Sequence, residues 1–167
     1  MGFRRTQLPK TGATWVASTK DLMMILSVDV DLKKLFLLGR NFPWKKPAIC
    51  PCCRQSHLWG HGFSATLFEG YPAALPMRRF LCPLCGCVIK CRPRGYFRRF
   101  QSTIAAIKSR LARRIEIGRW PSPDHGARGR HWLCSLKRKV LVYLGLQWRK
   151  CLIAGFDRLW QLAIVPV

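Results

Sequence analysis

Two short cysteine pairs constrain this chain more than any other feature. Cys50-Pro51-Cys52-Cys53 and Cys82-Pro83-Leu84-Cys85-Gly86 are Cys-x-x-Cys turns separated by 28 residues. Tetrahedral zinc needs four soft or borderline ligands, and two tight turns that each offer two thiolates supply them at little cost in chain entropy. Proline after the first cysteine presets each turn, and Gly86 lets backbone N–H groups approach sulfur closely. The spacing therefore predicts one structural Zn2+ ion on Cys50, Cys53, Cys82 and Cys85. Cys52, Cys87, Cys91, His57 and His61 lie close enough in sequence to replace one of the four. A redox pair is disfavoured, since no βαβ pattern surrounds either turn. Cys134 and Cys151 fall on predicted helices and read as small buried hydrophobes.

Charge is the second constraint. In 167 residues, 30 Lys and Arg face 7 Asp and Glu, a formal net charge of +23. Residues 92–150 alone hold sixteen basic and two acidic residues. A solubilising surface mixes both signs, so this excess points to a polyanion as partner. The few carboxylates are scattered, whereas two-metal nucleases and DDE-type transposases need them to converge on hard cations. No enzymatic activity is expected, and no small-molecule substrate. Apolar runs such as Leu35-Phe36-Leu37-Leu38 are too short to span a bilayer, and none of signal-peptide length follows Arg4 and Arg5. The expectation is a cytoplasmic, nucleoid-associated protein with no membrane partner.

The pattern of residues predicts an α+β chain: a small β zinc ribbon followed by a basic three-helix region, read either as a helical hairpin arrangement or as a helix-turn-helix. Residues 1–22 read as a flexible arm, with Met23 and Met24 as candidate translation starts. Residues 23–49 should supply a short strand, Ile25–Val30, and a helix over Leu32–Leu38, packing on the ribbon. Asp31 would cap that helix, Gly39 would stop it, and Leu32, Leu35 and Phe36 would share its apolar face. The ribbon itself spans 50–95, with strands at His57–Phe63, Ala65–Phe68, Met77–Leu81 and Val88–Cys91. The basic region spans 96–163. Its first helix, 96–118, is predicted from Phe97, Phe100, Ile104, Ile107, Leu111 and Ile115 at spacings of three and four. A loop over Arg119–Gly129, a helix over His131–Leu144, a break at Gly145 and a last helix over Gln147–Leu162 complete it.

Several segments also resemble a known family. Phe42-Pro43-Trp44-x-x-Pro47, Leu58-Trp59-Gly60-His61-Gly62-Phe63, Arg78-Arg79-Phe80-x-Cys82-Pro83-x-Cys85-Gly86-Cys87 and Arg94-Gly95-Tyr96-Phe97 look like a bacterial zinc-ribbon domain family of unknown function, similar to the N-terminal zinc ribbon of insertion-sequence transposases. The resemblance covers roughly residues 25–120. It implies zinc on Cys50, Cys53, Cys82 and Cys85, and DNA binding by association with transposases. Two departures stand out: Arg54 occupies a position where such a first knuckle usually has glycine, and no catalytic transposase core follows.

These readings converge on a transposase-related DNA-binding or accessory protein without catalytic activity. Its partner would be nucleic acid, with duplex DNA preferred. Arg99, Arg110, Arg113 and Arg114 would cluster on one flank of the first basic helix. Arg128, Arg130, Lys137, Arg138 and Lys139 would contact phosphates. Arg149 and Lys150, with Gln147, would stand on the first turn of the last helix, where a recognition helix meets base edges. Trp59, Phe63, Phe68 and Phe80 fit the ribbon's own core better than stacking on unpaired bases. The alternatives are an RNA- or ribosome-associated basic zinc-ribbon protein and a zinc-stapled module that docks on a transposase or another protein.

Overall fold

The computed structural model describes residues 23–120 and 126–167; the expected arm at 1–22 lies outside them. The chain is α+β, with a four-stranded sheet and four helices. In order these are β1 (Met23–Val28), α1 (Leu32–Leu38), β2 (Trp59–Thr66), β3 (Leu75–Leu81), β4 (Val88–Pro93), α2 (Ile104–Ile117), α3 (Gly126–Leu144) and α4 (Leu152–Gln161). The sheet runs β1-β4-β3-β2. β2, β3 and β4 form an antiparallel meander, whereas β1 pairs in parallel with β4, Met23 lying opposite Val88. The segment expected to pack on the cysteine module is thus partly built into its sheet.

The pleat separates two chemistries. Phe80 and Ile89 face each other across β3 and β4 and, with Cys91 and Leu58, bury a core beside the cysteine turns. The neighbouring pair, Arg79 opposite Lys90, points to the other face. There Leu75 and Met77 of β3 meet Phe68 and Leu35 of α1 in a second core. Asp31 caps α1, its carboxylate accepting from the N–H groups of Lys33 and Lys34 at 2.9 and 3.2 Å. Gly39 ends the helix. Leu35 is its buried anchor; Phe36, expected beside it, is exposed and leans on Tyr71 instead.

α2, α3 and α4 share a third core of Ile107, Leu111, Trp132, Leu136, Val140, Phe156 and Leu159. Several expected boundaries are corrected here: β1 is Met23–Val28 rather than Ile25–Val30, and α3 starts at Gly126, inside the loop expected over Arg119–Gly129. α2 starts at Ile104 rather than 96, because the Thr103 hydroxyl accepts from the Ala106 N–H at 3.0 Å and so caps the helix. Phe97 and Phe100 still reach the same core, but from the preceding turn. The two strands expected between 57 and 68 are one, β2, irregular between Gly60 and Phe63. The last helix starts at Leu152, after a short 3-10 turn over Leu146–Trp148. Gly155 lets α4 approach α3 closely, since a Cβ there would lie 2.8 Å from Val140. The segment Ile164–Val167 folds back on this core.

Candidate metal centre and basic surfaces

The two cysteine turns adopt the same backbone. In the first, the Cys50 N–H donates to the Gln55 carbonyl at 2.7 Å and the Arg54 N–H to the Cys50 carbonyl at 2.9 Å. In the second, the Cys82 N–H donates to the Cys87 carbonyl at 3.0 Å and the Gly86 N–H to the Cys82 carbonyl at 2.9 Å. Each turn therefore needs a left-handed residue after its second cysteine. Gly86 supplies it at φ 68° without strain, and Arg54 is forced into it at φ 62°. The departure noted in the sequence, arginine where glycine is usual, leaves the turn's shape intact and stores strain in it.

These turns bring four sulfurs together. The Sγ atoms of Cys50, Cys53, Cys82 and Cys85 all lie within 4.8 Å of one another. Across the turns, Cys50 is 3.7 Å from Cys85 and Cys53 is 3.5 Å from Cys82. With Zn–S bonds of ~2.3 Å, a tetrahedron has edges of about 3.8 Å. The donor set therefore fits one tetrahedral ion. Among the described residues no other group of three or more cysteine, histidine or carboxylate side chains converges this way. Cys52 is exposed, as are His57 and His61, and Cys87 and Cys91 belong to the buried core.

Local N–H groups and crowding act against each other on the thiols. At Cys82 the backbone N–H of Cys85 stabilises the thiolate more than burial opposes it, and the thiol is pulled down to about 7. Burial disfavours the Cys50 thiolate, but the N–H groups of Cys53 and Cys52 more than offset it. Cys85 and Cys53 receive N–H groups from Cys87 and Gln55, yet burial and the neighbouring sulfurs push both up. Such a cluster cannot hold four negative charges unaided. A divalent cation is the natural counter-charge.

The basic residues fall into several environments. Arg99 is not on α2 as expected; it sits in the preceding turn at φ 68°. Arg110 is on α2 but is engaged by the Glu69 carboxylate at 2.7 Å. Arg114 lies over the Trp120 ring at 5.6 Å, and Arg113 is exposed. Lys139, expected to reach phosphate, is turned inward and donates to the Val165 and Val167 oxygens at 2.8 and 3.0 Å. Arg128, Arg130, Lys137 and Arg138 are exposed on α3. Arg149 and Lys150 stand in the link before α4, not on its first turn, and Gln147 donates to the Leu144 carbonyl at the end of α3. That link, 145–151, is longer than a helix-turn-helix turn. Lys137, Arg149 and Lys150 instead line one groove of about 430 Å3 with Ile115, Leu141 and Leu152.

Of the aromatic candidates, Phe68 and Phe80 are buried, Phe63 lies under Arg78 at 4.8 Å, and Trp59 is exposed. Sequence reasoning missed Arg92. On β4 it exposes only 5% of its surface, and no local signal marked it, because alternation with Lys90 reads as a solvated strand face. Among the described residues no helix is long and apolar enough to cross a membrane.

Fold and site together define an α+β chain with a four-cysteine centre able to hold one metal ion. Comparison with protein families, curated proteins and solved structures finds no match to it.

Proposed function

We propose that this chain is a zinc-stapled nucleic-acid-binding protein, a transposase-related DNA-binding or accessory protein that acts without catalysis. The observation that carries the reading is the shortage of counter-charge. Among the described residues, 26 Lys and Arg accompany five carboxylates. Asp29 pairs with Arg94, Glu69 with Arg110 and Asp157 with Lys108, while Asp31 is spent capping α1. Most surface cations are left to find an anion elsewhere, and a phosphate backbone is the commonest polyanion. Zinc is favoured as the ion because four thiolates in tetrahedral array match its structural sites. It would staple the turns and leave no open position for substrate. The resemblance of the cysteine module to transposase zinc ribbons directs the choice towards DNA.

Salt-titrated fluorescence anisotropy with matched duplex DNA and duplex RNA tests this. With about six phosphate contacts, the log–log salt slope for DNA should be near −5. Absence of binding at low salt refutes the reading, and equal or stronger binding to RNA replaces DNA with RNA. A second reading, a docking module for a protein partner, draws on exposed Val142, Tyr143 and Leu146 around the end of α3. It predicts weak, sequence-blind nucleic-acid binding and a partner retained at high salt.

A further inference from the structure

The face of the sheet away from the cysteines carries a cavity of about 470 Å3. Its floor includes Lys90 and Arg92 of β4, adjacent on one face of the strand, and its rim includes Arg98 and Arg99. A second hollow of about 230 Å3 shares Arg99, Phe100 and Gln101 with it and adds Arg128. Among the described residues no carboxylate lines either one. Glu69, whose N–H donates to the Gln101 carbonyl at this rim, has its carboxylate on Arg110.

Arg92 is the residue that needs explaining. It exposes 5% of its surface, yet among the described residues no carboxylate meets it. One terminal nitrogen donates to the Phe100 carbonyl, the guanidinium lies 5.6 Å from the Phe68 ring, and Nε is buried without a hydrogen-bond partner. A buried guanidinium stays charged and is costly without an anion. Lys90 beside it is pushed down by burial and then by Arg92 and Arg79. Arg99 at the shared wall holds a left-handed backbone at φ 68°, which an arginine adopts only under constraint.

We propose that this cavity binds a phosphomonoester dianion. Cations gathered with no carboxylate among the described lining residues exceed what a singly charged phosphodiester requires, and a doubly charged monoester matches them better. Apolar Met23, Ile25 and Phe100 beside the cations offer a surface for the attached sugar and base. Resting on the nucleic-acid reading above, the source is the 5′-phosphate at a strand end; a free mononucleotide carries the same chemistry.

The test uses the full chain, purified without chelator, and 3′-labelled single-stranded oligonucleotides of one sequence with either a 5′-phosphate or a 5′-hydroxyl. Adenosine monophosphate serves as competitor. The phosphorylated strand should bind about tenfold tighter or more, the scale of a charge-assisted contact. Arg92→Gln should abolish the difference. Because that change is buried, Arg99→Gly serves as the second variant: it deletes a guanidinium while relieving the backbone, and should reduce the difference. Equal binding of both strands, with no binding of the mononucleotide, overturns the proposal while leaving the nucleic-acid reading intact. Binding of adenosine monophosphate without either strand, lost in Arg92→Gln, keeps the dianion site and overturns the strand end as its source, while the duplex titration above judges the nucleic-acid reading separately. No binding of any of the three overturns the proposal, and overturns the nucleic-acid reading as well only if the duplexes also fail to bind at low salt.

Discussion

Replacing Arg54 by glycine should tighten metal binding, although arginine is the larger and more polar residue. Arg54 occupies in the first cysteine turn the place that Gly86 occupies in the second, at φ 62° against 68°. A residue with a Cβ pays roughly 1–2 kcal/mol for that conformation. Glycine avoids this but loses about 0.5–1 kcal/mol more in chain entropy on ordering. The net gain is about 1 kcal/mol. If the turn is ordered mainly by its ion, the gain appears in metal affinity, about fivefold. Arg54 is exposed, so loss of its charge near the thiolates contributes little at physiological salt. The control is Arg54→Ala, which deletes the same guanidinium but keeps the Cβ. Competition of each variant against a chromophoric chelator for Zn2+ gives the comparison. Arg54→Gly should exceed Arg54→Ala by about fivefold, and Gly86→Ala should weaken binding by a similar factor. Equal affinities for the glycine and alanine variants at 54 would refute the argument that backbone strain is stored in this turn.

Three further outcomes follow from the same structure. Iodoacetamide should modify Cys52, Cys134 and Cys151 first in the metal-loaded protein, because they are exposed, Cys134 and Cys151 contrary to the buried positions expected of them, while Cys87 and Cys91 are buried. Burial also pushes Cys91 up to about 11, so mass spectrometry should find it labelled only after unfolding; early labelling would contradict its placement. Titration with Zn2+ at pH 7.5 should release about two protons or more, because Cys53 and Cys85 are held above their ordinary value of 9.0 and remain protonated in the free cluster. Affinity then falls about 100-fold for each unit of pH lost, and calorimetry in buffers of different ionisation enthalpy counts the protons. Gly155→Ala should destabilise the helical core by about 1–3 kcal/mol, since its Cβ would sit 2.8 Å from Val140; an unchanged melting temperature would show that α4 shifts freely.

What was legible in the sequence was what short-range chemistry decides. Asp31 and Gly39 mark α1, Gly118 marks the end of α2 and Gly145 breaks the chain after α3, because caps and left-handed stops act within one turn. The convergence of the two cysteine turns was readable for a similar reason, since each is a four-residue unit. The start of α2 was misread because Phe97 and Phe100 sit at helical spacing from Ile104 yet enter the core from a turn. Periodicity records that a residue is buried, not which element carries it. The capping pair Ser102-Thr103 was the better signal. The parallel pairing of β1 with β4 and the burial of Arg92 depend on segments far apart in the chain, and no local pattern encodes them. The inward turn of Lys139 likewise depends on oxygens of Val165 and Val167.

The position of β1 carries a consequence for how the molecule assembles. Docking Met23–Val28 on Val88–Pro93 closes a loop of roughly 60 residues that contains both cysteine turns, the second near its end. Once an ion joins Cys50 to Cys85, the effective loop shrinks to about 25 residues, lowering its closure cost by about 0.8 kcal/mol. Metal capture should therefore precede docking of the first strand. Chain that fails to capture its ion would leave one side of β4 bare, and an uncovered strand invites pairing with another chain. The supply of metal would then set the yield of correctly folded protein during synthesis, well before any partner is met.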